Sequence, residues 1–242
     1  MFGLILDGGI ARLTLDRPEA RNAIPAAGWA DLQDRIGEAA RSDARVLLLT
    51  GAGGAFCAGA DLGDFPALQR DEVARTAFRC SMRGAIDALH DLAIPTVAAV
   101  EGPCYGAGVA LAIACDLRIA RPGARFAITP AKIGIAYPQE DIHRLVGLIG
   151  PGQAARLLFT AEAIDAEEAA AIGLVERVEP QGGAETVAAA IAAHPRDSLA
   201  ALKRGIRLAA EGERTDAEQD RRFDALIAGD VLAERLEALR RK

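Results

Sequence analysis

An α/β fold with largely parallel strand pairing is predicted by three features of this 242-residue sequence. Short apolar runs alternate with segments of helical periodicity. Glycine-rich loops follow two of the apolar runs. Hydrophobic residues make up 51% of the chain, enough for a sizeable core, while aromatics are only 4%. Alanine carries much of that hydrophobicity, which favours helices and close packing of small side chains.

The elements follow in order. Residues 2–7 and 10–16 are strands joined by Gly8-Gly9, a hairpin signal. Asp16-Arg17-Pro18 ends the second strand, and Ile24 to Ala40 has the helical spacing of Trp29, Leu32 and Ile36. Arg45–Thr50 is a buried strand closed by the loop Gly51–Gly54. A long amphipathic helical region from about Arg70 to Leu92 ends before Pro95. The strand Thr96–Val100, a second glycine-containing loop, a helix from about Gly106 to Ala114 and the strand Leu117–Ala120 complete the alternation. Beyond Pro151 the pattern is mostly helical, at 151–159, 166–172, 184–193, 197–211 and 214–240, interrupted by a short strand at Gly173–Val178. This organisation predicts a core domain over 1–195 and a helical C-terminal region over 196–242.

Composition narrows the function. The net charge of −6 argues against nucleic acid or an anionic membrane as the main partner, because both need an excess of Lys and Arg. No apolar run is long enough to span a membrane, and the N-terminal stretch lacks the basic and apolar regions of a signal peptide. A soluble cytoplasmic protein is expected. Cys57, Cys80, Cys104 and Cys115 show no C-x-x-C pairing, and His90, His143 and His194 lie far from them in sequence. Reduced, packed thiols are therefore expected, with no metal site.

Two loops suggest chemistry. Gly54-Ala-Phe-Cys-Ala-Gly-Ala-Asp-Leu62 follows one buried strand, and its small residues let a ligand approach the backbone. Glu101-Gly-Pro-Cys-Tyr-Gly-Ala-Gly108 follows another and opens a helix, whose first N–H groups and dipole suit developing negative charge. Together they could place two N–H donors around one oxygen, an oxyanion hole. Each loop alone could equally serve tight turning. Neither dinucleotide nor P-loop fingerprints occur.

The runs RPEARNAI, AFCAGADL, VEGPCYGAGVALAIACDLRIA, FAITPAKIGI and TAEAIDAEEAAAIGLVERV stand in order across about residues 10–180. In that order they resemble the crotonase superfamily, the enoyl-CoA hydratase/isomerase family. The resemblance implies a ClpP-like spiral of ββα units with a helical C-terminal trimerisation region. It also implies an acyl-CoA thioester substrate, with coenzyme A part of that substrate and no other cofactor, and a homotrimer or a hexamer built from two trimers. By the same resemblance the oxyanion donors are the backbone N–H groups of Ala60 and Ala107. Ala58, Gly59, Asp61 and Leu62 would contact the CoA adenine end, and Arg17 and Arg21 its phosphates, though both arginines also suit a solvated surface.

The sequence departs from the hydratase pattern at the two glutamates that activate water, where Ala110 and Pro130 stand. Neither can transfer a proton, so paired-glutamate hydration is not expected. Glu140, next to Asp141 in the segment expected to line the acyl pocket, is the carboxylate chosen to shuttle a proton; it could instead complement the dipole of the helix it opens. Thr129 and Tyr137 resemble the pair that holds the departing carboxylate in methylmalonyl-CoA decarboxylases of the superfamily, although those carry a histidine where Ala60 stands. Three readings follow: an isomerase or atypical hydratase, a malonyl-type (methylmalonyl or ethylmalonyl) CoA decarboxylase, and a non-catalytic CoA-binding protein. Asp61 is expected to brace its own loop, and His143 to lie on a helix face.

Overall fold

The computed structural model describes residues 1–241; Lys242, the last residue of the expected C-terminal region, lies outside them. The chain begins with β1 (Phe2–Asp7) and β2 (Ile10–Leu15), an antiparallel hairpin turned by Gly8 and Gly9 at φ 58° and 79°. Then come α1 (Gly28–Arg41), β3 (Val46–Gly51), α2 (Phe65–Arg70), α3 (Glu72–His90), β4 (Thr96–Val100), β5 (Pro103–Tyr105), α4 (Ala107–Ala114), β6 (Leu117–Ala120) and β7 (Arg125–Ala127). The remainder is α5 (Gln139–Thr160), β8 (Ala163–Asp165), α6 (Ala166–Ala171), β9 (Arg177–Val178), α7 (Gly183–Ala192), α8 (Arg196–Ala210), α9 (Ala217–Ala228) and α10 (Asp230–Arg240). No helix among the described residues is long and apolar enough to cross a membrane.

The main sheet runs β1-β2-β3-β4-β6-β9, parallel throughout except for the first hairpin, as the alternation predicted. A second sheet, β5-β7-β8, was not anticipated. Its strands have three residues each, too short for any periodicity to show. Both faces of the main sheet are covered, which explains the continuously apolar strands β3 and β4. One core gathers Leu13, Leu47, Leu49, Trp29, Ile36 and the whole of α4; a smaller one packs Val46, Leu48 and Val97 against α7.

Several boundaries moved for local reasons. Ile24 precedes Pro25, which disfavours helical backbone, and its N–H donates to Gly59 O at 2.8 Å, so the first helix starts at Gly28. Asp71 is extended (φ −121°) and caps α3 by accepting the Ala74 N–H at 2.9 Å, which splits the expected long helix into α2 and α3. Gly150, at φ 73°, breaks α5 just before Pro151. Gly229, at ψ 152°, divides the terminal helix into α9 and α10. The expected strand Gly173–Val178 shrinks to Arg177–Val178, because Gly173 and Leu174 close the end of α6 through hydrogen bonds to Ala170 and Ala169.

The helical C-terminal region grips the core through α8. Lys203 is buried there, with Nζ 2.7 Å from Asp116 and 3.0 Å from the Ile94 carbonyl. In contrast, α9 and α10 bury no residue against the rest of the chain.

Candidate active site

Parallel pairing of β3 with β4 brings out the two glycine-containing loops side by side. Their backbones then pair with each other. Phe56 N and Cys57 N donate to Pro103 O at 3.1 and 3.0 Å, and Tyr105 N donates to Cys57 O at 2.8 Å. This approach demands glycine at two places. A Cβ on Gly108 would stand 2.2 Å from Cys57 O, and one on Gly59 (φ 99°) would stand 2.8 Å from Tyr105 O.

Ala60 sits in an isolated parallel bridge with Ile24. Ile24 N donates to Gly59 O at 2.8 Å and Asp61 N donates to Ile24 O at 2.9 Å. Successive N–H groups of extended backbone point to opposite sides, so the Ala60 N–H is directed away from Ile24. Ala107 is the first residue of α4, whose opening N–H groups have no partner within the helix. Neither the Ala60 nor the Ala107 N–H finds an acceptor among the described residues. Both residues line one cleft of about 720 Å³.

The rest of the cleft wall is mostly apolar. Leu62, Phe65 and Leu68 come from the segment after Ala60, Phe78 and Met82 from α3, and Ile133, Ile135 and Tyr137 from the segment before α5. Tyr137 is buried and its hydroxyl donates to Gly106 O at 3.1 Å; burial pushes its pKa well above the usual tyrosine value. Thr129 leads into the 3-10 turn Pro130–Ile133 and does not form part of the wall. Pro130 does, in the position expected for a hydratase glutamate. Ala110 is fully buried inside α4.

Glu140 is the chief displacement from the sequence expectation. Its side chain is 58% exposed, 3.7 Å from Arg83, and outside the cleft wall. The next residue, Asp141, lines the cleft and is fully buried. Successive helical residues are turned by about 100°, which suffices to exchange the two carboxylates. Asp141 belongs to a closed ring of charges between α3 and α5. Arg83 Nη1 lies 3.0 Å from Asp141 Oδ1, and Arg83 Nε lies 3.0 Å from Asp87 Oδ2. Arg144 Nη2 lies 2.7 Å from Asp87 Oδ1, and Arg144 Nη1 lies 3.4 Å from Asp141 Oδ1. Both arginines thus address one oxygen of Asp141, and Oδ2 has no hydrogen-bond partner among the described residues. Burial raises the Asp141 pKa above the ordinary carboxylate value, and the two arginines, Arg83 foremost, oppose that rise. Spacings of four residues for Arg83/Asp87 and three for Asp141/Arg144 are the signal in the sequence that could have found this ring.

Of the expected CoA-side residues, Leu62 lines the cleft, whereas Ala58, Gly59, Asp61, Arg17 and Arg21 stand outside its wall. Arg17 Nη1 meets Asp61 Oδ2 at 2.5 Å and donates to Ala23 O at 3.2 Å; Asp61 Oδ1 accepts the Gly63 N–H at 2.9 Å. This hydrogen-bonded pairing holds the Asp61 carboxyl below its usual range. Asp61 thus braces its loop, and Arg17 shares the task. Arg21 adopts left-handed backbone (φ 51°), accepts the Ala58 N–H at its carbonyl, and leaves its guanidinium without a partner among the described residues. Cys57 and Cys104 are fully buried; burial lifts the Cys57 thiol to about 12 and Cys104 well above its usual value, so neither supplies a thiolate. His143 is exposed on α5. Among the described residues no three His, Cys, Asp or Glu side chains gather as a metal site would require.

Comparison with known proteins places the chain. The family model described as enoyl-CoA hydratase/isomerase matches residues 6–232. The probable enoyl-CoA hydratase echA6 of Mycobacterium tuberculosis is 38% identical over 194 residues, covering 79% of this chain and 76% of that one. The crystal structure of an enoyl-CoA hydratase from Bacillus anthracis superposes with a TM-score of 0.89 at 29% identity, covering 99% of this chain and 96% of that one. An enoyl-CoA hydratase/carnithine racemase from Magnetospirillum magneticum gives a TM-score of 0.92 at 28% identity, covering 99% and 92%.

Proposed function

The chain belongs to the enoyl-CoA hydratase/isomerase family, and on that footing we propose that it moves a double bond along the acyl chain of a CoA thioester. In this reading the thioester oxygen lies between the Ala60 and Ala107 N–H groups, and the acyl chain fills the apolar cleft. Asp141, in place of Glu140, takes a proton from the carbon next to the thioester. The electron pair passes into a dienolate whose oxygen is stabilised by the two N–H groups. The same carboxyl then returns the proton two carbons further along. One carboxylate is enough because it both accepts and donates.

The observation that carries this reading is Asp141 Oδ2, a buried carboxylate oxygen without a partner in the cleft that also holds both unpaired N–H groups. Its raised pKa brings it closer to the operating pH, where an acid–base group works best. Hydration would need a second group to hold water, and Ala110 and Pro130 supply none. The decarboxylase reading has less support: the Tyr137 hydroxyl is committed to Gly106 O, Thr129 is outside the wall, and the Asp141 carboxyl lines the cleft that the departing carboxylate would occupy. Assembly into trimers or hexamers draws support from the exposed apolar side chains Leu202, Ile206, Phe223 and Ile227 on α8 and α9, and residues 196–242 would serve as the assembling arm.

The test is mass spectrometry of the CoA products after pure protein meets 3-enoyl-CoA, crotonyl-CoA, methylmalonyl-CoA and ethylmalonyl-CoA, in ordinary and heavy water. Migration of the double bond in 3-enoyl-CoA is the expected outcome. Gain of water from crotonyl-CoA would restore a hydratase. Loss of carbon dioxide would make the protein a decarboxylase, and inertness toward all four with retained binding would make it a CoA-binding protein.

A further inference from the structure

Helix α3 carries arginines at every fourth position, Arg75, Arg79 and Arg83, and the first two line the cleft. Two of them are spoken for. Arg75 Nη1 donates to the Leu68 carbonyl at 3.0 Å, which ties α3 to the end of α2. Arg83 belongs to the ring around Asp141. Arg79 lines the cleft and has no hydrogen bond or ion pair among the described residues. Its neighbours one turn away in both directions are cations, an arrangement of like charges that destabilises a helix unless an anion lies between them.

Arg79 is exposed to solvent where it borders the cleft, so an aliphatic acyl chain passing it gives the guanidinium no partner but water. We propose that Arg79 binds a carboxylate at the far end of the acyl group, so that the substrate is the CoA thioester of a dicarboxylic acid. This rests on the acyl-CoA reading above and names its substrate class. A guanidinium suits the role because it meets a carboxylate with two parallel hydrogen bonds. Arg79 precedes Arg83 by one helical turn, about 6 Å along the axis. The distal carboxylate therefore sits a short chain away from the carbon that Asp141 serves.

The rival source of negative charge is the phosphates of coenzyme A. A thioester held at Ala60 and Ala107 has two directions to run, and Arg21, hydrogen-bonded through its carbonyl to Ala58 outside the cleft wall, has its guanidinium without a partner among the described residues for the other end. The cleft of which Arg79 is part is lined by Phe65, Phe78 and Met82, a surface for carbon chains.

Saturated thioesters separate binding from turnover. Isothermal titration should compare succinyl-, adipyl- and suberyl-CoA with the monocarboxylic thioesters of equal length, on the native protein and on Arg79→Met. We expect at least one dicarboxylic thioester to bind ten- to a hundredfold more tightly than its monocarboxylic counterpart, the span of one charge-assisted pairing. Arg79→Met should abolish that preference while its thermal melt matches the native protein. Equal binding of both series by the native protein overturns the proposal. So does an equal weakening of both series in the variant that vanishes with pantetheine thioesters, which would assign Arg79 to the CoA phosphates. A selective site that turns over no enoyl-CoA would remove the isomerase reading and leave this one standing.

Discussion

The two walls of the cleft are made differently. One is backbone: the loops 54–62 and 101–108, locked together by main-chain hydrogen bonds, present two N–H groups whose positions owe nothing to the side chains they belong to. The other is side chain: α3 and α5 face each other across a ring of Arg83, Asp87, Asp141 and Arg144, and the chemistry available there depends on which atoms that ring leaves unpaired. On the proposed function, the first wall would specify a class of intermediate, an enolate of a thioester, and the second would decide what is done with it.

Substitutions can break this division of labour, and the largest effect is expected on the side-chain wall. Asp141→Asn should lower kcat for double-bond migration by about 10²–10⁴-fold, the usual worth of a positioned acid–base group, while Glu140→Gln should leave it within about twofold. Steady-state kinetics on 3-enoyl-CoA decide between the two carboxylates, and a collapse in Glu140→Gln alone would return the role to Glu140. On the backbone wall, Ala107→Pro deletes one donor at the first helical position, where proline is tolerated. It should cost about 10²–10³-fold in kcat with little change in melting temperature.

Arg83→Met tests whether the ring poises Asp141 or merely fastens two helices. Removing one partner of a buried pair costs about 3–5 kcal/mol, so the melting temperature should fall by on the order of 10 °C. The pH profile carries the sharper information. The Asp141 pKa is raised by burial and held down by Arg83 first and Arg144 second, with Glu140 raising it. Asp87 and Tyr137 complete the surrounding titratable groups. A base works deprotonated, so activity should rise with pH through the raised pKa, and the variant should shift that acidic limb to still higher pH. For stability the sign is opposite. Between the ordinary carboxylate pKa and the raised one the native state binds more protons than the unfolded state, so Asp141 makes the fold less stable as pH rises through that window. A small effect is expected of Tyr137→Phe, which removes a single hydrogen bond to Gly106 O and should lower kcat by about tenfold or less.

The same contrast explains what the sequence made legible. The two loops were visible in advance as glycine-rich segments after unbroken apolar runs, the resemblance to a family named Ala60 and Ala107 on them, and the steric demand at Gly59 and Gly108 came only with the fold. The side-chain wall was half visible. The absence of proton carriers at Ala110 and Pro130 could be read directly, and so could a pair of neighbouring carboxylates. Which of Glu140 and Asp141 turns inward depends on where α5 begins, and a shift of one residue there exchanges them. The pairs that cross between helices, Arg83 with Asp141 and Arg144 with Asp87, are 58 and 57 residues apart, so the spacings within each helix were legible but the contact between the helices was not. The sheet β5-β7-β8 was hidden for a related reason, since strands of three residues are fixed by their neighbours and not by their own periodicity.

The glycine contacts between the two loops also bear on how such a protein drifts by mutation. Ala60 and Ala107 contribute only their main-chain N–H groups, and of all replacements only proline removes that hydrogen. If these groups hold the charge of the intermediate as proposed, that role is nearly immune to point mutation, whereas the neighbouring glycines at 59 and 108, held by steric contact between the loops, tolerate almost nothing. A lineage built this way can exchange the acids and bases around its cleft and change its reaction without losing the intermediate. The invariant part of its signature then marks the scaffold, and the chemistry is written in the residues that are free to vary.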